Sequence, residues 1–251
     1  MKKRLPKSLL VFFLFGIFLI GCQENEGTPN ENTSSNAQPA SSDSNSENSN
    51  STSTESSNHR HDHNHSHEDE KQKEIYSGIF EDNEVKDREL SDWEGDWQSV
   101  YPYLLDGTLD SVLQKKVETK KDKTFDEYKE YYQVGYETDM ERIVIKDNTI
   151  TFYHNGEGKT GEYTYHGYEI LTYESGNRGV RYLFDLVGEA DGVPKHVQFS
   201  DHSIDPTKAE HYHIYLGNGD HDTLLHELDN WPTYYFSHLS GEEIAEEMNA
   251  H

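Results

Sequence analysis

With 251 residues and a formal charge of −26, from 48 acidic against 22 basic side chains, the chain is long enough for a domain with its own core. Its field repels phosphate backbones and draws in cations, which argues against nucleic acid as a partner. The one cysteine, Cys22, excludes a disulfide or a thiolate metal ligand in the folded part, so any metal site there must use His, Asp or Glu.

Lys2, Lys3, Arg4 and Lys7 precede an apolar run from Leu9 to Ile20 that is too short to span a bilayer comfortably, the outline of a signal peptide over residues 1–21. Leu19-Ile20-Gly21-Cys22 resembles a bacterial lipobox, in which the cysteine becomes the acylated mature N-terminus. An exported protein held on the outer face of the cell membrane through Cys22 is expected, since several acyl chains give the stable anchoring that one chain cannot. Residues 22–58 are almost entirely Ser, Asn, Thr, Glu, Gln, Gly and Pro, too polar to offset the entropy of ordering, and read as a disordered tether. Residues 59–70 follow as a His-rich segment in which His59, His61, His63, His65 and His67 alternate with mostly polar or acidic residues. This comb of imidazoles and carboxylates is expected to be disordered and to capture divalent metal with low affinity.

The folded domain is placed at 71–251. A dense aromatic cluster, Trp93, Trp97, Tyr101 and Tyr103, comes first. Leu109, Val112, Leu113 and Val117 then recur at helical spacing, and Thr124 with Glu127 forms a capping box before a second helix carrying Tyr128, Tyr131 and Tyr132. From Arg142 the period becomes two: Ile143 and Ile145, a turn at Asp147-Asn148, then Ile150 and Phe152 make a hairpin. Strand-like runs follow at 162–165, 168–173, 179–186, 195–199 and 211–216, with no long helix between them, so an antiparallel sheet or barrel is expected rather than parallel βαβ units. Short helices around 224–228 and from Ser240, where Glu243 completes another capping box, close the chain.

The chemically richest stretch is Phe199-Ser200-Asp201-His202 followed by His211-Tyr212-His213. Residues two apart on a strand share a face, so His211 and His213 can aim at one point while Tyr212 faces the other way. The loop through Asp205-Pro206 can bring His202 to the same point. Three neutral imidazoles make a zinc site with an open fourth position, which water, a carboxylate or a histidine of the comb could fill. His154, His166, His196, His221, His226, His238 and His251 have no partners at interpretable spacing and read as surface or hydrogen-bonded residues.

Six strings carry a resemblance to the ZinT (YodA) family of bacterial zinc- and cadmium-binding proteins: Leu90-Ser91-Asp92-Trp93-Glu94-Gly95, Trp97-Gln98-Ser99-Val100-Tyr101-Pro102, Gly179-Val180-Arg181-Tyr182-Leu183-Phe184, Val197 to His202, His211-Tyr212-His213, and Asp229-Asn230-Trp231-Pro232-Thr233-Tyr234-Tyr235. The resemblance covers about residues 75–251. It implies a mainly β, lipocalin-like (calycin) antiparallel barrel with added short α-helices, with Zn2+ bound at the barrel mouth by His202, His211 and His213. It further implies zinc scavenging for a zinc ABC importer and its solute-binding protein, with Cd2+ as an alternative ion; imidazole ligands suit other divalent transition metals as well. Some periplasmic members carry a cysteine pair; the matching positions here are Gly161 and Leu186, so that disulfide is absent.

Two other functions compete. A zinc hydrolase would use the open metal position to activate water, but the chain has no H-E-x-x-H and no evident general base beyond Asp201. A barrel that binds a small apolar ligand rests on fold analogy alone.

Overall fold

The computed structural model describes residues 64–173 and 176–250. The signal peptide, Cys22, the tether, His59, His61 and His63 therefore fall outside the described residues. Eight antiparallel strands close into a barrel in chain order: β1 (Gly95–Ser99), β2 (Arg142–Lys146), β3 (Thr149–His154), β4 (Glu157–Thr172), β5 (Arg178–Leu186), β6 (His196–Ser200), β7 (His211–Gly217) and β8 (Thr233–Phe236), with β8 pairing back onto β1. Helices α1 (Asn64–Tyr76), α2 (Tyr101–Leu105), α3 (Asp110–Lys120), α4 (Phe125–Tyr136), α5 (His221–Leu225) and α6 (Gly241–Ala250) are added to it. A closed antiparallel barrel with added short helices is thus the architecture of the described residues.

The interior follows from alternation. Ile143 and Ile145 of β2, Ile150 and Phe152 of β3, and Tyr212 and Ile214 of β7 are all buried in one cluster with Trp93, Trp97, Tyr182, Phe184 and Phe199. Trp93 lies stacked on Phe199 at 5.0 Å and edge-on to Phe184 at 5.8 Å. An eight-stranded barrel has room inside for little more than its own side chains, and these aromatics fill it. Tyr234 points into this cluster, whereas its neighbour Tyr235 points outward and packs with Leu104, Leu109, Val112, Leu113 and Ile244 of the helices. The helical layer is therefore fastened to the outer face of β8, beside the start of β7.

Both expected capping boxes form. Glu127 N–H donates to Thr124 Oγ1 at 3.3 Å while Thr124 N–H donates to Glu127 Oε2 at 2.8 Å, and Ser240 and Glu243 repeat the exchange at 3.2 and 2.8 Å. Each satisfies two N–H groups that a helix start leaves orphaned. The runs at 162–165 and 168–173 are one strand, β4, interrupted by a bulge between Tyr165 and Gly167. Strands β1 and β8 and helix α2 are additional to the expected elements, and α5 begins three residues before the run at 224–228.

The disordered state expected for the whole of 59–70 does not hold: from Asn64 onward the tract is the start of α1. Glu, Lys and Gln after His67 favour helix, and the far end of α1 is held by Ile75 packing on the barrel cluster and by Lys71 pairing with Glu84 at 3.0 Å. Helix α1 thus starts before residue 71.

Candidate metal centre

Strand β7 presents Tyr212 and Ile214 to the barrel interior, which turns His211 and His213 outward, toward the helices. Across the ladder His211 pairs with Tyr235 and His213 with Thr233, while Ser200 at the end of β6 pairs with His213 on the other side. Two residues beyond Ser200, His202 adopts a left-handed backbone, φ 63°, which swings its ring back over β7. One ring nitrogen from each of His202, His211 and His213 lies within 4.8 Å of the others, and the His202 and His213 Nε2 atoms are 3.3 Å apart. The three expected residues are therefore brought together, in a cleft between the barrel wall and the helices at the start of β7 rather than in the barrel interior.

Neighbouring groups fix the rings. His211 stacks on Tyr235 with ring centres 5.0 Å apart and planes 9° from parallel, Tyr76 at the end of α1 lies 4.5 Å from the His202 ring, and Trp231 meets His213 edge-on at 5.4 Å. Gly135 of α4 is what lets Trp231 lie there: a Cβ at that position would stand 2.5 Å from the indole.

Hydrogen bonds select the His213 tautomer. Thr233 Oγ1 donates to the Trp231 carbonyl at 3.1 Å, so it accepts from His213 Nδ1–H at 2.7 Å, and the lone pair is left on Nε2, the atom facing His202. A divalent metal needs that arrangement in an imidazole ligand, and the donor set suits a zinc-class ion. Burial, reinforced by the charges His202, His211 and Arg181 would carry, holds the His213 pKa well below the usual histidine range, so the ring is neutral and ready to ligate. Thr233→Val preserves shape but frees His213 to take the other tautomer; zinc affinity is expected to fall about 10–100-fold with no change of fold, measured by competition with a chelator of known affinity.

Arg88 is a supporting residue that spacing did not disclose. Its guanidinium is buried and donates to Asp201 Oδ1 at 2.6 Å, Asp92 Oδ2 at 2.9 Å and the Thr207 carbonyl at 2.8 Å, with its carbon 4.1 Å from the centre of the Trp93 ring. It thereby pins both Asp201, adjacent to His202, and the loop that leads to His211. Asp201 is engaged in this buried pair and is not placed as a general base.

The tract and the triad are joined by α1. A second group, His166, Asp185 and His221, also gathers one ligand atom from each residue within 4.8 Å, and His196 joins it. His166, His196 and His221 are thus hydrogen-bonded, one of the two readings expected for them.

A family model described as ZinT (YodA) periplasmic lipocalin-like zinc-recruitment matches residues 71–251. "Probable metal-binding protein YrpE" of Bacillus subtilis (strain 168) is 58% identical over 179 residues, 71% of this chain and 71% of its own length. The zinc-binding lipoprotein AdcA of Streptococcus pneumoniae (strain ATCC BAA-255 / R6) is 53% identical over 179 residues, but the matched region is 36% of that longer protein. Among solved structures, the Zn(II)-bound ZinT-like domain of Streptococcus pneumoniae AdcA superposes with a TM-score of 0.67 at 54% identity, covering 69% of this chain and 97% of that domain.

Proposed function

The chain belongs to the ZinT (YodA) family of lipocalin-like zinc-recruitment proteins, a binding rather than an enzyme family, and from that premise we propose that it captures zinc outside the cytoplasm through His202, His211 and His213 and passes it to a zinc ABC importer by way of that importer's solute-binding protein. The observation that carries this reading is the convergence of the three imidazoles on one point with the His213 lone pair already directed there by Thr233. AdcA, which contains a domain of this kind, is named a zinc-binding lipoprotein. The motif around Cys22 supports the same arrangement here: residues 1–21 direct export, Cys22 carries the lipid, 22–58 is the tether and the histidines at 59, 61, 63, 65 and 67 gather ions. Cadmium, which imidazole also suits, is a second cargo. Zinc content after purification without added metal, compared between the full chain and its His202/His211/His213 triple-alanine variant, tests the assignment; equal zinc in both would end it.

Asp201, the base that the hydrolase alternative would use, is held in a buried ion pair with Arg88, and the aromatics fill the barrel interior that an apolar ligand would need.

Zinc binding should depend on pH. Protons compete for the same lone pairs, so affinity is expected to fall between about pH 7.5 and about pH 5. The metal-free fold should respond as well. With its pKa depressed, His213 refuses in the folded state a proton that the unfolded chain accepts near the ordinary value of about 6.5. Its contribution to stability is complete above that pH and is lost as pH falls toward the depressed folded value, because the unfolded state then binds more protons. Melting temperatures of the metal-free chain at several pH values should therefore drop on the acid side, and a flat profile would contradict the burial of a neutral His213.

A further inference from the structure

We propose that the cleft over the triad takes zinc together with a small polycarboxylate, one carboxylate filling the fourth metal position and another pairing with Lys116. This rests on zinc capture by His202, His211 and His213.

The cleft has the wrong sign for a bare cation. The chain carries a formal charge of −26, yet among the described residues the lining around the triad has no Asp or Glu and has two lysines, Lys116 and Lys120. They stand four residues apart on α3 and share one face of that helix with Val112. Ammonium groups beside an open metal position repel the very ion that the long-range field draws in. An anionic ligand on the ion turns that repulsion into attraction.

Lys116 is the better placed of the two. It is half-buried, with Nζ 5.6 Å from the centre of the Tyr132 ring, and no carboxylate among the described residues pairs with it. Lys129, by contrast, is matched with Asp110 at 2.9 Å on the neighbouring helix. Burial holds the Lys116 pKa below the usual lysine range, so an incoming carboxylate would supply a partner that the fold does not.

A continuous aromatic wall links this lysine to the metal ligands. The Tyr132 ring centre is 5.5 Å from that of Trp231, which in turn lies 5.4 Å from that of His213. Burial pushes the Tyr132 hydroxyl up to about 12, so it keeps its proton and can donate to a carboxylate oxygen. The cleft encloses about 620 Å³, room for an organic ligand beside the ion. Three neutral imidazoles leave the zinc charge of +2 uncompensated, and the lysines add to it. A ligand with two or three carboxylates balances that charge, whereas a monocarboxylate fills the metal position and leaves Lys116 unmatched.

The test is equilibrium dialysis of the zinc-loaded full chain against 14C-labelled citrate, with zinc and citrate both measured in the protein chamber. One citrate per chain is expected, with the zinc retained, and binding to the metal-free chain should be at least about tenfold weaker. Lys116→Gln, a change that helices tolerate, should hold zinc at least as tightly as the unaltered chain but bind citrate at least about tenfold more weakly. Lys116→Arg keeps the charge and should keep the binding. Acetate should bind the unaltered and Lys116→Gln chains alike. Citrate that strips the zinc, that fails to bind the loaded chain, or that binds Lys116→Gln as tightly as the unaltered chain would overturn the proposal. Zinc measured before citrate is added keeps the two readings apart: equal loading of a His202/His211/His213 triple-alanine chain refutes capture by the triad, while normal loading without citrate binding refutes only the polycarboxylate.

Discussion

Replacing His211 with alanine is expected to lower zinc affinity by at least about 100-fold, beyond the range of about 10–100-fold that follows loss of a supporting hydrogen bond. His211 is buried and stacks on Tyr235, so its removal takes away a ligand and opens a gap between β7 and the helical layer. His202 and His213 would remain 3.3 Å apart, but two imidazoles leave half of a tetrahedral zinc shell to water. The loss should exceed that of Thr233→Val, which leaves all three rings in place. Titration calorimetry against a competing chelator measures both, with far-UV circular dichroism showing that the strands persist. A His211→Ala chain that binds zinc as tightly as the unaltered chain would mean that the ion is held elsewhere.

The second large effect concerns stability. Arg88→Met leaves Asp201 as a buried charge without its partner, and removing one member of a buried ion pair costs about 3–5 kcal/mol. For a domain of this size that lowers Tm by about 6–20 °C. Zinc affinity should fall with it, because Asp201 and the Thr207 carbonyl are the points at which Arg88 holds the loop that follows His202. The double variant Arg88→Met/Asp201→Leu removes both charges and should recover much of the stability but not the affinity, since the hydrogen bonds of Arg88 to that loop stay lost. Thermal melts of the two variants without metal decide it; equal melting temperatures for Arg88→Met and the unaltered chain would show that the pair is not structural.

The contrast between these two residues shows what the order of amino acids makes legible. His211 and His213 announce themselves because a strand puts alternate residues on one face, and His202 because it closes the same short loop. The hairpin at Asp147-Asn148 and the boxes at Thr124/Glu127 and Ser240/Glu243 are equally local, and each is present. Arg88 lies 113 residues from Asp201, and their contact exists only once the barrel has closed. The same holds for Asp185, which meets His196 through the β5–β6 register and His221 through the packing of α5. His166 is obscured further by the bulge at Tyr165/Gly167, which breaks the period-two pattern and makes β4 read as two strands. Strands β1 and β8 are short, and β1 consists of Gly, Asp, Trp, Gln and Ser, so pairing across the closing seam rather than intrinsic preference defines them. Helix α1 is polar on nearly every face, and its order comes from the docking of Ile75 and from the Lys71–Glu84 pair.

The most direct measurement is a crystal of the chain grown with zinc and recorded on both sides of the zinc absorption edge. One anomalous peak is expected about 2.0–2.1 Å from a ring nitrogen of each of His202, His211 and His213. An ordered triad with no peak between its rings, while zinc sits elsewhere on the molecule, would contradict zinc capture by these residues.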